Sequence, residues 1–166
     1  MSVVYNPHVK FLRKWGSRGS GDGDFRWPHC IWIDIEGKVY VSERGNDRIQ
    51  VFDPQGRFIL KWGITGSEDG ELRWPQGLVI DSAGNVYVSD QGNDRLQVFD
   101  PQGKFLRKWG IRGNGDGEFS WPQSLGIDGD GNVYASDRGN HRVQVFDPQG
   151  RFLRKWGVTG LSLIHI

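Results

Sequence analysis

The chain has 166 residues, including 25 Gly, 8 Trp, 9 Phe and 4 Tyr, and its 21 Lys and Arg against 20 Asp and Glu leave a net charge of +1. That balance offers no overall attraction to nucleic acid or to an anionic membrane, so any such binding needs local asymmetry. A single cysteine, Cys30, excludes an internal disulfide framework. No apolar run approaches the ~20 residues of a membrane span, and glycine combined with aromatics points to many short strands and tight turns.

The segment VYNPHVKFLRKWG at 4–16 returns as VFDPQGRFILKWG at 51–63, VFDPQGKFLRKWG at 98–110 and VFDPQGRFLRKWG at 145–157. Phe11, Phe58, Phe105 and Phe152 mark a constant spacing of 47 residues, the signature of stacked supersecondary units. In chain order, residues 1–16 carry one outer strand, at 9–15, of a preceding unit. Residues 17–62, 63–109 and 110–156 are then three full units. The middle one is read in detail as strands QGLVID (76–81), NVYVSD (85–90), DRLQVF (94–99) and KFLRKW (104–109). Gly84 is assigned the left-handed conformation of the first turn. In the turn DPQG, Pro101 presets its own φ, Gly103 closes the turn, and Asp100 accepts backbone hydrogen bonds. Residues 157–160, GVTG, begin a further repeat, and LSLIHI at 161–166 fits nothing in it and reads as a non-native scar.

Four antiparallel strands per unit, joined by glycine-rich crossings such as GIRGNGDGEFSWP (110–122), describe an all-β β-propeller blade. One blade cannot cover both of its faces, so its apolar residues must pack on the blades before and after it. Three blades do not close a ring, so the chain reads as half of a six-bladed propeller and as a fragment of a longer protein. The outer faces of its first and last blades are then apolar and prone to self-association. A dimer of three blades plus three is the alternative, opposed by the orphan strand, which would have nowhere to pair.

The elements W-P-Q-x-L-x-I-D, G-N-V-Y-x-S-D, G-N-x-R-x-Q-V-F-D and F-L-R-K-W-G, in this order over residues 3–160, resemble the NHL repeat. The resemblance implies a scaffold of the kind found in tripartite-motif ubiquitin ligases, bacterial sensor and surface proteins, and amidating lyases. A scaffold does not name a function. It leaves the compartment open: cytoplasmic for the tripartite-motif type, periplasmic or extracellular for the bacterial type.

Asp90, Asn93 and Arg95 recur as Asp137, Asn140 and Arg142 and, with one change, as Glu43, Asn46 and Arg48. An active site is normally unique, so a trio present in every unit is read as a structural ion pair across a hairpin mouth, with Asn taking the turn conformation. The run DGDGN at 128–132 resembles a calcium loop only superficially, because Val133 replaces its turn glycine. No metal or cofactor is expected, and no catalytic set is visible. His29 alone is placed to contribute to a lyase site.

Binding is expected instead at the channel mouth. Trp27, Trp74 and Trp121 each precede the proline entering an innermost strand, beside His29, Gln76 and Gln123 and the loop arginines Arg44 and Arg138. Flat rings around a concavity can stack on a peptide, a sugar or an unpaired base. The competing reading has each Trp plug the gap between blades, as Trp15, Trp62, Trp109 and Trp156 do on the outer strands. RNA is disfavoured, because the crossings set Asp22, Asp24, Glu68, Asp69, Glu71, Asp116 and Glu118 against Arg18, Arg26, Arg73 and Arg112.

The function expected from the sequence is therefore a non-catalytic scaffold that recognises a protein or peptide, with no membrane contact. Its alternatives are the substrate-recognition part of a tripartite-motif E3 ubiquitin ligase, or part of an amidating lyase.

Overall fold

The computed structural model describes residues 10–157. The start of the first copy, His8, the GVTG continuation past Gly157, the hexapeptide 161–166 and His165 lie outside the described residues. Twelve strands form three four-stranded antiparallel sheets, each in sequence order. The first contains β1 (Pro28–Ile33), β2 (Val39–Glu43), β3 (Arg48–Phe52) and β4 (Phe58–Trp62). The second contains β5 (Pro75–Ile80), β6 (Val86–Asp90), β7 (Arg95–Phe99) and β8 (Phe105–Trp109). The third contains β9 (Pro122–Ile127), β10 (Val133–Asp137), β11 (Arg142–Phe146) and β12 (Phe152–Trp156). First strands adjoin first strands, β5 lying against both β1 and β9, so the sheets fan outward from that edge.

Residues 10–17 differ from expectation. They carry the outer-strand sequence but form no strand, because a strand needs a neighbour for its ladder and none of the described residues pairs with them. The turns between second and third strands also differ. Gln91–Asn93 and Arg138–Asn140 are single 3-10 turns, and the left-handed residue is the one after the asparagine: Asp47, Asp94 and His141, with φ near +50°. Gly84 and Gly103 are left-handed as the turn chemistry requires.

Alternation along the strands gives each sheet two apolar faces, and each gap between sheets holds one core. Tyr40, Ile49 and Val51 meet Leu72, Leu78, Val86, Val88 and Phe99 between the first two sheets. Tyr87, Leu96 and Val98 meet Phe119, Val133, Ala135 and Phe146 between the second and third. Burying each such side chain is worth about 1.5–3 kcal/mol, and most of that gain requires two sheets. The outer-strand Trp62 and Trp109 pack onto Phe99 and Phe146 of the following sheet at 5.8 Å between ring centroids. Trp156, with no sheet packed on it among the described residues, stays exposed.

Polar groups also cross these gaps. The Ser42 hydroxyl donates to the Gln76 carbonyl at 2.6 Å, and the Ser89 hydroxyl donates to that of Gln123. Gly77 approaches the Gln123 carbonyl so closely that an added Cβ would collide with it.

Inside each sheet the recurring trio is drawn into one buried network. Asp90 is fully buried, and its carboxylate accepts bonds from Arg95 Nε at 2.7 Å, Asn93 Nδ2 at 2.8 Å and the Arg73 backbone N–H at 2.7 Å. The remaining Arg95 donors reach the carbonyls of Ser67, Glu68 and Glu71 in the preceding crossing, and buried Gln97 bridges Glu71 to Asp90. Glu43, Asn46, Arg48 and Gln50 repeat this arrangement in the first sheet, as do Asp137, Asn140, Arg142 and Gln144 in the third. Each arginine thus ties a hairpin to a crossing of several residues that makes only one isolated β-bridge of its own. Burial pushes the Asp90 carboxyl above its ordinary range, with the Asn93, Arg73 and Arg95 donors opposing that rise.

Asp90→Asn keeps an oxygen for the Arg73 amide but leaves a buried guanidinium without its counter-charge. Urea unfolding should then show a stability loss of about 3–5 kcal/mol. A loss under about 1 kcal/mol, as for an exposed pair, would contradict this assignment.

The hairpin turns titrate differently. Asp53 Oδ1 accepts the amides of Gln55 and Arg57, and the Arg57 backbone N–H above all holds its carboxyl below 3.8. The Asn132 side-chain amide does most to depress Asp128 in the same way. Stabilisation from a depressed carboxyl is present above 3.8 and lost as pH falls through the lowered value. The Gln55 and Asn132 amide resonances should therefore shift in acid with midpoints below 3.8, and midpoints above it would refute the assignment.

Candidate aromatic and cationic face

Each crossing ends in a tryptophan that is left-handed, with φ of 51° at Trp27, 52° at Trp74 and 56° at Trp121. The proline that follows disfavours the ordinary helical well at the preceding residue, and the chain must turn sharply from crossing to inner strand. A bulky residue at positive φ costs on the order of 1–3 kcal/mol, and it persists because its backbone is held by neighbours: through both N–H and carbonyl at Trp121, through the N–H at Trp74 and through the carbonyl at Trp27. The Trp74 N–H donates to Asp47 Oδ1 and the Trp121 N–H to Asp94 Oδ1, each at 2.8 Å from the preceding sheet's turn. The Trp27 carbonyl accepts from the Arg44 N–H at 3.1 Å, and the Trp121 carbonyl accepts from that of Arg138 at 3.3 Å.

Clamped this way, the rings face solvent. Trp27, Trp74 and Trp121 are 67%, 46% and 51% exposed, so they do not plug the gaps between sheets. The Arg44 guanidinium lies 5.3 Å from the Trp74 ring centroid, and that of Arg26 lies 5.7 Å from Trp27. Contacts of this kind hold the rings at a cost of little affinity, since an exposed cation–π pair is worth only about 0.5–1 kcal/mol.

Of the other expected binding residues, His29 is exposed on β1, Gln123 is half-buried on β9, and Arg138 is exposed beside Trp121. Gln76 does not join them. It is buried at 2% exposure, because the inner strand of the middle sheet is covered by neighbours on both sides. Gln91 occupies the place of Arg44 and Arg138 in the middle sheet, and its buried Nε2 has no partner among the described residues.

The charge at this rim also departs from expectation. Asp22, Asp69 and Asp116 pair with Lys61, Lys108 and Lys155, which belong to the outer strands, and so spend their charge away from the tryptophans. Asp24, Glu71 and Glu118 accept hydrogen bonds within their own crossings. Asp47 and Asp94 are turned inward onto the Trp74 and Trp121 amides. Arg26, Arg44, Arg73 and Arg138 hold no carboxylate among the described residues, which leaves the rim aromatic and locally cationic. Summing charges along the crossings hid this segregation.

Sequence reasoning missed the amide bridges of Gln50, Gln97 and Gln144, the serines that bond across the gaps, and the two aspartates that clamp the tryptophans. Only the glutamines carried a signal, since R-x-Q-V-F recurs with the trio in every unit. The DGDGN run is a hairpin turn, in which Asp128 accepts the Asp130 and Asn132 amides. Among the described residues no group of three or more His, Cys, Asp or Glu is arranged to hold a metal ion, and no helix is long and apolar enough to cross a membrane. On the opposite face, Trp32, Ile33, Ile35, Tyr40, Ile80 and Pro101 border a cleft of about 500 Å³.

A family model described as a 6-bladed beta-propeller matches residues 77–156. Over 42 residues the chain is 48% identical to the human (Homo sapiens) E3 ubiquitin-protein ligase TRIM32, a match spanning 25% of this chain and 6% of that protein. It is 46% identical over 44 residues to human NHL repeat-containing protein 3, spanning 25% of this chain and 13% of the relative. A solved structure of a streptogramin B lyase superposes with a TM-score of 0.64 at 14% identity, over 79% of this chain and 40% of the lyase. The chain thus spans well under two thirds of each, and the lyase likeness concerns the fold alone. With its repeated motifs and fanned four-stranded sheets, the chain has a β-propeller fold built from repeats similar to those of NHL repeat proteins.

Proposed function

We propose that the chain is a non-catalytic recognition scaffold that holds a segment of a partner protein across the Trp27, Trp74 and Trp121 face. The observation that carries this reading is a strained backbone repeated at three tryptophans whose rings are nonetheless left in solvent. Strain of this kind at an exposed side chain marks a position kept for what it presents rather than for packing. Trp and Arg are also the residues that dominate the energetics of protein interfaces. In this reading residues 17–62, 63–109 and 110–156 are the three blades, and the buried trios with their glutamines keep each blade's register.

A finer reading follows from the likeness to TRIM32: the chain is the substrate-recognition part of a larger ubiquitin ligase. The unpaired arginines favour a carboxylate-bearing protein segment. They serve equally to select against basic partners.

The test is a peptide-display selection on the full chain, followed by affinity measurement against the variant Trp27→Ala/Trp74→Ala/Trp121→Ala. Selected peptides should be acidic and should lose roughly 100-fold or more in affinity, with the circular dichroism of the sheets unchanged. Affinity that survives the triple substitution would end the proposal. Binding of a single-stranded oligonucleotide in preference to any peptide, with a steep salt dependence, would replace protein by RNA.

A further inference from the structure

The cleft between the first two sheets lies on the face opposite the three rim tryptophans, and its chemistry differs from that of the next junction. We propose that it binds an arginine side chain of a partner protein, whose guanidinium takes the place that one of the chain's own arginines takes between the second and third sheets.

At that second junction the outer strand supplies Arg107. Its guanidinium lies 5.6 Å from the Tyr87 ring centroid, donates to the Tyr87 hydroxyl at 2.9 Å and crosses the gap to the Pro148 carbonyl at 2.6 Å. Arg154 donates likewise to the Tyr134 hydroxyl, and Arg13 to the Pro54 carbonyl. In the turn between first and second strands, Asn85 Nδ2 donates to Asp81 Oδ2 at 2.8 Å, as that of Asn132 does to Asp128. The chain thus satisfies these acceptors from its own side chains.

The first unit departs from the repeat at three positions. Leu60 stands where the other copies have Arg13, Arg107 and Arg154, Lys38 where they have Asn85 and Asn132, and Trp32 where they have Val79 and Gly126. Leu60 packs on the apolar core and has no proton to donate. Among the described residues nothing donates to the Tyr40 hydroxyl or to the Pro101 carbonyl, the counterparts of the two Arg107 acceptors. Lys38 Nζ turns to Glu36 at 2.6 Å, so Asp34 Oδ2 accepts only a long bond of 3.4 Å from the Tyr40 hydroxyl.

These groups meet in one cleft of about 500 Å³, bordered by Trp32, Asp34, Tyr40, Ile80, Asp81 and Pro101. Its walls come from two adjoining sheets. Glu36 cancels the Lys38 charge, which leaves the Asp34 and Asp81 carboxylates to set the sign of the site. An anion would be repelled, and a wholly apolar ligand would cover the Pro101 carbonyl without pairing it. A guanidinium suits the set, because it keeps its charge, donates in several directions at once and stacks on aromatic rings. Its methylene stem can lie along Ile80 and Trp32. The group it replaces is a side chain carried by a polypeptide strand, so the matching source is a polypeptide.

Heteronuclear NMR of the full chain, read at the Trp32 indole N–H during titration with the capped peptide acetyl-Gly-Arg-Gly-amide, tests this. The resonance should shift saturably, with a dissociation constant of about 1 mM or tighter. The citrulline peptide, equal in shape but uncharged, should bind roughly tenfold or more weakly. Leu60→Arg supplies the guanidinium internally and should abolish the shift with near-UV circular dichroism retained. Lys38→Asn gives Asp34 the amide that Asp81 has and should weaken binding several-fold. Both variants place in the first unit a residue that the other units already carry. No saturable shift, equal binding of the citrulline peptide, or undiminished binding by either folded variant would overturn the proposal.

Discussion

Every sheet in this chain has two apolar faces, and only a neighbouring sheet can cover one of them. That constraint explains the repetition, because the gap between two sheets is filled well only when neighbours have the same twist, strand length and side-chain volumes. It explains why Trp62 and Trp109 serve the sheet that follows rather than their own. It also explains why equivalent apolar residues differ in exposure: Leu78 is fully buried in the middle sheet, while its counterpart Ile31 is exposed in the first.

Stacking alone would leave the crossings loose, since each makes a single isolated bridge of its own. The buried ion pairs supply what is missing. Each guanidinium is neutralised by a carboxylate in its own hairpin and spends its other donors on crossing carbonyls. Together these fix where the crossing ends and hence where the tryptophan stands. The aspartates at 47 and 94 then clamp the next sheet's tryptophan amide, so the exposed rings of Trp74 and Trp121 are positioned from two sheets at once. Rigidity in the scaffold and presentation at its rim are therefore one arrangement, and a partner would meet rings whose orientation has already been fixed.

Much of this was legible in the sequence, because the strand and turn signals are local and are repeated. The strand expected at 94–99 is Arg95–Phe99, that expected at 104–109 is Phe105–Trp109, and Gly84 and Gly103 are left-handed as their turns demand. Contacts between units were not legible. Nothing in one repeat indicates that Ser89 bonds a carbonyl 34 residues later, or that Asp94 holds a tryptophan amide 27 residues on. The crossing acids misled for a related reason, since linear proximity to Arg26 and Arg73 concealed their pairing with outer-strand lysines. The strained tryptophans could not have been foreseen, because positive φ is signalled by glycine or asparagine, not by an indole.

If stacking is what stabilises each sheet, protection should follow position in the stack rather than sequence, since the repeats are nearly alike. Native-state hydrogen exchange of the strand amides measures this directly, at a concentration low enough to keep copies apart. The account predicts slowest exchange in β5–β8, which is covered on both faces, and faster exchange in β1–β4 and β9–β12. Equal protection of all three sheets, or a third sheet that outlasts the second, would contradict it.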